Sequence, residues 1–391
     1  MRLKGVFFAI LQGMKIGIDA RMYGPKVGGG GLGRYVEQLI IQLQKIDQEN
    51  RYILFLKPEN FEDCVITNPH FEKRCVPIHW YSLKEQLFLA KMIDREGLDL
   101  LHFPHWNVPW NIKTPFVVTI HDLILLEQPR SAKITTRHPL TYLTKYIGYR
   151  FVLSQALKRS RKIIAVSQYT KKSILKHFSW VREEKIEVIY EGITPLPALP
   201  NPSDLSKLPI PYLLYIGNAY PHKNLKTLLH AFLLLQKKHP NLHLIVAGRK
   251  DIFSDRLLDS ASHLPLPQGS FTFIPNPTDS QLSQLYAHAT VYVFPSLIEG
   301  FGLPPLEAMQ QGVPVAASNT SCLPEILGNA AVYFPPTDLQ AMIAAIESLL
   351  QNDENRFELI GRGYARASLY SWSAMAQTIK KGYAKWFSKT M

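Results

Sequence analysis

Cysteine is scarce in this chain of 391 residues: Cys64, Cys75 and Cys322 are odd in number, scattered, and free of any C-x-x-C spacing. That excludes a disulfide framework and a cysteine-based zinc site, and it fits a reducing, cytoplasmic compartment. Long apolar runs are also missing. None approaches the roughly 18 to 20 residues that a membrane span needs, so no integral segment is expected. Acidic residues are absent between Gln128 and Arg182, where thirteen basic residues stand. Tyr142, Tyr146, Tyr149 and Phe151 are interleaved with those cations. Two readings of the segment are open: a solvated helix face, or attraction to an anionic surface. No RNA- or DNA-binding signature accompanies it, so nucleic acid is not expected as a partner, and the anionic surface is read as a membrane.

What the chain does have is an alternation of short apolar runs with helix-length segments. Ile16–Asp19, Tyr52–Leu56, Leu100–Phe103, Phe116–Ile120 and Lys162–Val166 read as strands, with a helix over Gly33–Ile46. This alternation predicts a parallel sheet covered on both faces, an α/β fold. The proline-dense stretch Thr194 to Pro202 forms neither helix nor central strand and reads as part of a linker. Beyond it the alternation resumes with Tyr212–Ile216, Leu242–Ala247, Phe271–Phe273, Val291–Phe294, Val313–Ala316 and Ala331–Tyr333. Two doubly wound, Rossmann-like domains are therefore expected, 1–195 and 211–370, joined by a linker at 196–210, with ligands in the cleft at the strands' carboxyl ends. Residues 1–13 read as a dispensable extension ahead of the strand that opens at Met14. The amphipathic stretch 371–391 either crosses back to the first domain or ends the second.

The segment from Pro295 to Glu307 carries the most chemistry. It reads as a strand end, a turn containing Gly300 and Gly302, and a helix opened by Pro304 and Pro305, which places Glu307 in the first helical turn and Glu299 in the loop before it. A helix start with nearby glycines suits phosphate. Two carboxylates there would repel that anion unless they faced sugar hydroxyls, which an ionised carboxylate accepts two at a time. The pattern points to a nucleotide-sugar site. Gly217 and Asn218 follow another strand, with Lys223 as a point charge for a diphosphate. Arg249, after the next strand, either braces the phosphate or is solvated. In the first domain, Gly28 to Gly33 reads as a flexible loop feeding a helix, through which Gly31 and Gly33 would approach phosphate.

These residues together resemble the retaining glycosyltransferases of family 4, with the two-domain GT-B architecture, and among them the mannosyltransferase-like group of bacterial polysaccharide assembly. The resemblance rests on Glu299-x7-Glu307 in its setting, Gly217 with Lys223-Asn224, Ile18-Asp19-Ala20-Arg21, Gly31-Leu32-Gly33-Arg34-Tyr35 and Thr119-Ile120-His121-Asp122-Leu123. It implies that Glu299 holds donor-sugar hydroxyls, Glu307 the ribose, and the backbone from Gly300 through Phe301, Gly302 and Leu303 the sugar and phosphate. It further implies that Lys223 neutralises the leaving diphosphate and that His121 contacts the donor sugar. Two positions depart from many relatives: Asn218 and His222 stand where they carry arginine. Asp-x-Asp is missing, so no metal and no cofactor are expected. A nicotinamide dehydrogenase would need G-x-G-x-x-G directly after its first strand, which this chain lacks. The expected donor is GDP-mannose, with UDP-glucose or another UDP-sugar next; the acceptor is a glycan or lipid-linked glycan. A noncatalytic sugar-nucleotide binder remains the rival reading.

Overall fold

The computed structural model describes residues 13–128, 139–197 and 208–388. The expected extension, apart from Gly13, the middle of the expected linker, and residues 129–138 of the basic segment lie outside the described residues. The chain forms two units: the second takes Ile193–Tyr370 and, of the described residues before it, Glu127 and Gln128, and the first takes the rest, including the chain from Ser371 onward.

In the first unit seven parallel strands stand in the order β3-β2-β1-β4-β5-β6-β7. They are β1 Lys15–Asp19, β2 Arg51–Leu56, β3 Phe71–Cys75, β4 Leu100–Phe103, β5 Phe116–Ile120, β6 Lys162–Ala165 and β7 Ile186–Val188. The interior strands are apolar because helices cover both faces. The helix Gly30–Ile46 buries Val36, Leu39, Ile40 and Leu43, the three-and-four spacing of one helical stripe. The helix Pro139–Arg159 buries Leu153, Ala156 and Leu157 in the other layer of core. The C-terminal helix Trp372–Ser388 belongs to this unit. Its Tyr383 hydroxyl lies 2.7 Å from His102 Nδ1, and Lys380 pairs with Asp47 at 3.4 Å. Among the two openings left by the sequence, the helix thus takes the first unit.

The second unit is a six-stranded parallel sheet, ordered β10-β9-β8-β11-β12-β13. Its strands are β8 Tyr212–Ile216, β9 His243–Gly248, β10 Phe271–Pro275, β11 Val291–Phe294, β12 Val315–Ser318 and β13 Ala331–Phe334. In each sheet the winding reverses once, between β1 and β4 in the first and between β8 and β11 in the second. Such reversals leave a crevice at the strands' carboxyl ends.

The structure corrects two local expectations. Gly28 to Gly33 is not an extended flexible loop: a short helix Pro25–Gly28 and the helix beginning at Gly30 absorb it. The glycines serve close packing, since a Cβ on Gly33 would stand 2.2 Å from the Gly24 carbonyl oxygen and one on Gly28 2.0 Å from that of Met22. Gly31 lies in the first helical turn, exposed. Glu307 stands one turn later than expected. The helix starts at Leu303, which makes Glu307 a second-turn residue.

Candidate active site

In the second unit, the loops leaving the neighbouring strands β8 and β11 are knitted together. After β8 the chain makes a 3-10 turn, Pro221–Lys223, closed by Asn224 in the left-handed region at φ 60°. Asn224 Nδ2 donates to the carbonyls of Pro295 and Pro336, and Leu297 N donates to His222 O at 2.7 Å. This lacing brings Lys223 Nζ to 2.6 Å from Glu299 Oε1, with both side chains largely buried. Glu299 N in turn donates to Ser321 Oγ at 3.0 Å. The lysine and the first glutamate are therefore one ion pair at the reversal point of the sheet.

Glu307 is buried on the Leu303–Gln310 helix, where the Tyr286 hydroxyl donates to its Oε2 at 3.4 Å. That helix begins after Gly302, whose φ of 91° is open to glycine at little cost. Pro304 and Pro305 carry no N–H, so the donors that the helix start can direct at a ligand narrow to Gly302 and Leu303. Gly300 and Phe301 lead into them, and Phe301 O accepts from the Cys322 thiol at 3.2 Å. Asn218 Oδ1 and Ser296 Oγ, on the loops after β8 and β11, are buried with no hydrogen-bond partner among the described residues. A buried acceptor left unmet is costly and is relieved by a ligand's donor. Ser296 drew no attention in the sequence, where serine carries no signal of its own.

The charge here is narrow. His222 is neutral, its pKa pushed down to about 4 by burial and then by the charge of Lys223. Arg249 is exposed just beyond β9, where Gly248 lets the loops of β8 and β9 touch: a Cβ on it would stand 1.9 Å from Gly217 O.

In the first unit His121 follows β5. Its Nδ1 lies 2.9 Å from Glu191 Oε1 and its Nε2 2.9 Å from Pro104 O. Both partners are acceptors, so the charged ring, with a proton on each nitrogen, is the form that satisfies both. Burial works against that charge, but the Glu191 hydrogen bond and carboxylate outweigh it and hold the pKa above its ordinary value. Tyr35, from the glycine-rich segment, packs edge-on against the ring at 4.7 Å.

Sequence reasoning quoted Asp19 and Arg21 without a role and missed the cluster they join beside the β1/β4 reversal. Arg21, buried, pairs with Asp19 at 2.7 Å and Glu85 at 2.6 Å. Glu85 Oε2 accepts from Tyr81 N, and Tyr81 takes a left-handed φ of 59°. Tyr81 is stacked on Trp106 at 5.1 Å and its hydroxyl lies 2.9 Å from His105 Nε2. Because Trp106 N donates to His105 Nδ1, the proton of the neutral His105 sits on Nε2 and is donated to Tyr81. The Tyr81 O–H is then available to a ligand. Three separate chain segments build this platform, so no single stretch announces it.

Two parallel α/β sheets, each with one reversal, form the architecture called GT-B. Sucrose-phosphate synthase from Thermosynechococcus elongatus superposes with a TM-score of 0.74 at 22% identity, over 96% of this chain and 100% of that one. Residues 29–195 match the family described as Glycosyltransferase Family 4, and residues 203–366 that described as Glycosyl transferases group 1. O-antigen chain mannosyltransferase B of Escherichia coli is 31% identical over 291 residues, 72% of this chain and 73% of the relative. O-antigen chain mannosyltransferase RfbU of Salmonella typhimurium is 30% identical over 73% of this chain and 75% of its own. The chain belongs to glycosyltransferase family 4 and is a glycosyltransferase.

Proposed function

We propose that the protein is a retaining, metal-independent hexosyltransferase that moves mannose from GDP-mannose onto a glycan or lipid-linked acceptor in cell-surface polysaccharide synthesis. The observation that carries the reading is the Lys223–Glu299 pair at the β8/β11 reversal, one helix away from Glu307. The choice of mannose is supported by the O-antigen mannosyltransferases among the relatives.

The pair works as an exchange. An arriving diphosphate competes for Lys223, and Glu299, released from it, accepts hydrogen bonds from hydroxyls of the donor sugar. Glu307 accepts from the ribose, while Gly302 and Leu303 N–H groups meet sugar and phosphate. In the transfer step the bond from the anomeric carbon to the diphosphate oxygen breaks. The bond to the acceptor oxygen forms on the same face, and the acceptor proton passes to the departing diphosphate. Lys223 stabilises the charge that grows on that leaving group, with Arg249 as its second cation, since His222 supplies none. For His121 we retain a donor-sugar contact, in which its Nε2–H exchanges the Pro104 carbonyl for a hydroxyl. The stacked Tyr81 and Trp106 offer a flat face and a hydroxyl donor to an acceptor glycan.

The test is release of GDP from GDP-mannose with and without a lipid-linked glycan acceptor, against UDP-glucose as comparison. Product of retained configuration from GDP-mannose is expected. Turnover of UDP-glucose alone overturns the donor, and absence of any transfer overturns the enzyme reading.

A further inference from the structure

Aromatic rings form one chain of contacts across the first unit. Tyr81 lies nearly parallel to Trp106, with ring centres 5.1 Å apart. Trp106 meets Tyr149 edge-on at 4.6 Å, and Tyr149 meets Tyr146 at 6.5 Å. Tyr146 in turn lies nearly parallel to Tyr142 at 6.1 Å. The chain thus joins the loops after β3 and β4 to the helix Pro139–Arg159.

Topology decides where the rings stand. β5 and β6 are parallel, and the helix between them ends at Arg159, just ahead of Lys162 where β6 opens. Its last turn therefore lies at the amino end of β6, and its first turns reach the carboxyl edge of the sheet, where β4 delivers Trp106. Tyr142, Tyr146 and Tyr149 follow at spacings of four and three, on one stripe of the helix. That stripe continues through Leu153 and Leu157 into the core. Toward the helix start it outruns the core: Tyr149 is buried, whereas Tyr146 and Tyr142 are partly exposed.

A core stripe that passes into solvent ordinarily turns polar. This one stays aromatic, and each tyrosine carries a hydroxyl at its tip. Flat apolar faces with polar tips suit sugars, whose C–H faces stack on rings while their hydroxyls find hydrogen-bond partners. The two flat pairs, Tyr81–Trp106 and Tyr142–Tyr146, are separated by the ring-to-ring steps of 4.6 and 6.5 Å through Tyr149, a reach longer than one sugar ring. Resting on the acceptor reading of Tyr81 and Trp106, we infer that the acceptor is an oligosaccharide. The sugar that receives the transfer lies on Tyr81 and Trp106, and those behind it lie along Tyr146 and Tyr142. Tyr149 is the buried floor that holds Trp106 to the helix.

Binding is measured on the full-length protein by saturation-transfer NMR titration, with α-linked mannose oligomers and β-linked glucose oligomers of one to four sugars and no donor present. Affinity should climb with length in at least one series. Tyr142→Ala/Tyr146→Ala should weaken the longer oligomers roughly threefold to tenfold, the scale of an aromatic contact, and return them to the strength of the single sugar. Tyr142→Phe/Tyr146→Phe keeps the rings and should keep the gain, while Tyr81→Ala should weaken every length. Unchanged thermal unfolding verifies that the variants fold, and Tyr142→Ala alone, in the first helical turn, gives the same reading with the smaller change. Affinity flat with length, or alanine variants that bind like the parent, would overturn the inference and leave the Tyr81–Trp106 platform standing. No binding of any oligomer would overturn both, with GDP release from GDP-mannose still reporting on the transferase separately. Loss of binding to phosphatidylglycerol vesicles in the alanine variant, with oligosaccharide binding kept, would overturn it in favour of a lipid surface.

Discussion

Lys223 and Glu299 are 76 positions apart in the chain and 2.6 Å apart in the fold. Each is the other's partner before a substrate arrives. Replacing Glu299 with Ala is expected to lower the rate of transfer by about 10²-fold or more, the usual loss when a group aimed at the reacting centre is removed. Lys223→Ala leaves a buried carboxylate unpaired, so it should also lower the unfolding temperature, which differential scanning calorimetry reads. Because the two residues act as a unit, the double variant should lose much less than the product of the single losses.

Arg249 is exposed beyond β9, and with His222 neutral it is the second cation proposed for the diphosphate. Arg249→Ala should reduce turnover by at least tenfold while leaving thermal stability within about 0.5 kcal/mol, as for other surface changes. An unchanged rate removes arginine from the mechanism. On the same grounds, transfer in excess EDTA should equal transfer in added magnesium.

The two kinds of buried histidine respond to pH in opposite directions. His121 has a raised pKa, so its pairing with Glu191 contributes stability that is complete below the unfolded value of about 6.5 and is lost as pH climbs through the folded value. His222 and His102 are pushed down to about 4 and about 3, each mainly by burial. Their contribution is present above about 6.5 and lost as pH falls toward those values. Glu191→Gln should therefore cost stability at pH 6 and progressively less as pH rises. Histidine NMR titration should show the His121 pKa dropping in that variant.

Gly33 and Gly361 make a matched pair of glycine tests. Alanine at Gly33 would drive a methyl group into the Gly24 carbonyl and should destabilise by about 1 to 3 kcal/mol, as overpacking does. Gly361 sits within the helix Asp353–Ala367 with open space at its Cβ position, so alanine there should stabilise by about 0.5 to 1 kcal/mol. Urea unfolding of the two variants measures both signs.

The sequence made the interior strands legible because burial on both faces leaves an uninterrupted apolar run, as in Tyr212–Ile216. It hid β3 and β7 for the converse reason. Both are edge strands, and Phe71-Glu-Lys-Arg-Cys and Ile186-Glu-Val carry the charges that an edge tolerates. Glu299 and Glu307 were visible because their setting is local, within one turn and one helix. The ion pair to Lys223 was not, since identity and spacing say nothing about which distant loop is laced alongside. The glycine-rich segment misled because glycine permits a loop without requiring one; here contact with the Gly24 and Met22 carbonyls is what demands it.

The helix Trp372–Ser388 completes a buried relay in the first unit, running from Tyr383 through His102 and Thr119 to Tyr35. On the ribosome, this means that the unit synthesised first is finished last. Its helical lid emerges only after the whole second unit has been translated, a delay of roughly ten seconds or more at about 5–20 residues per second. Throughout that interval the nascent first sheet stands with His102 short of its tyrosine partner and the surface beneath the helix open to water. The opened flank is where a holding chaperone would find purchase.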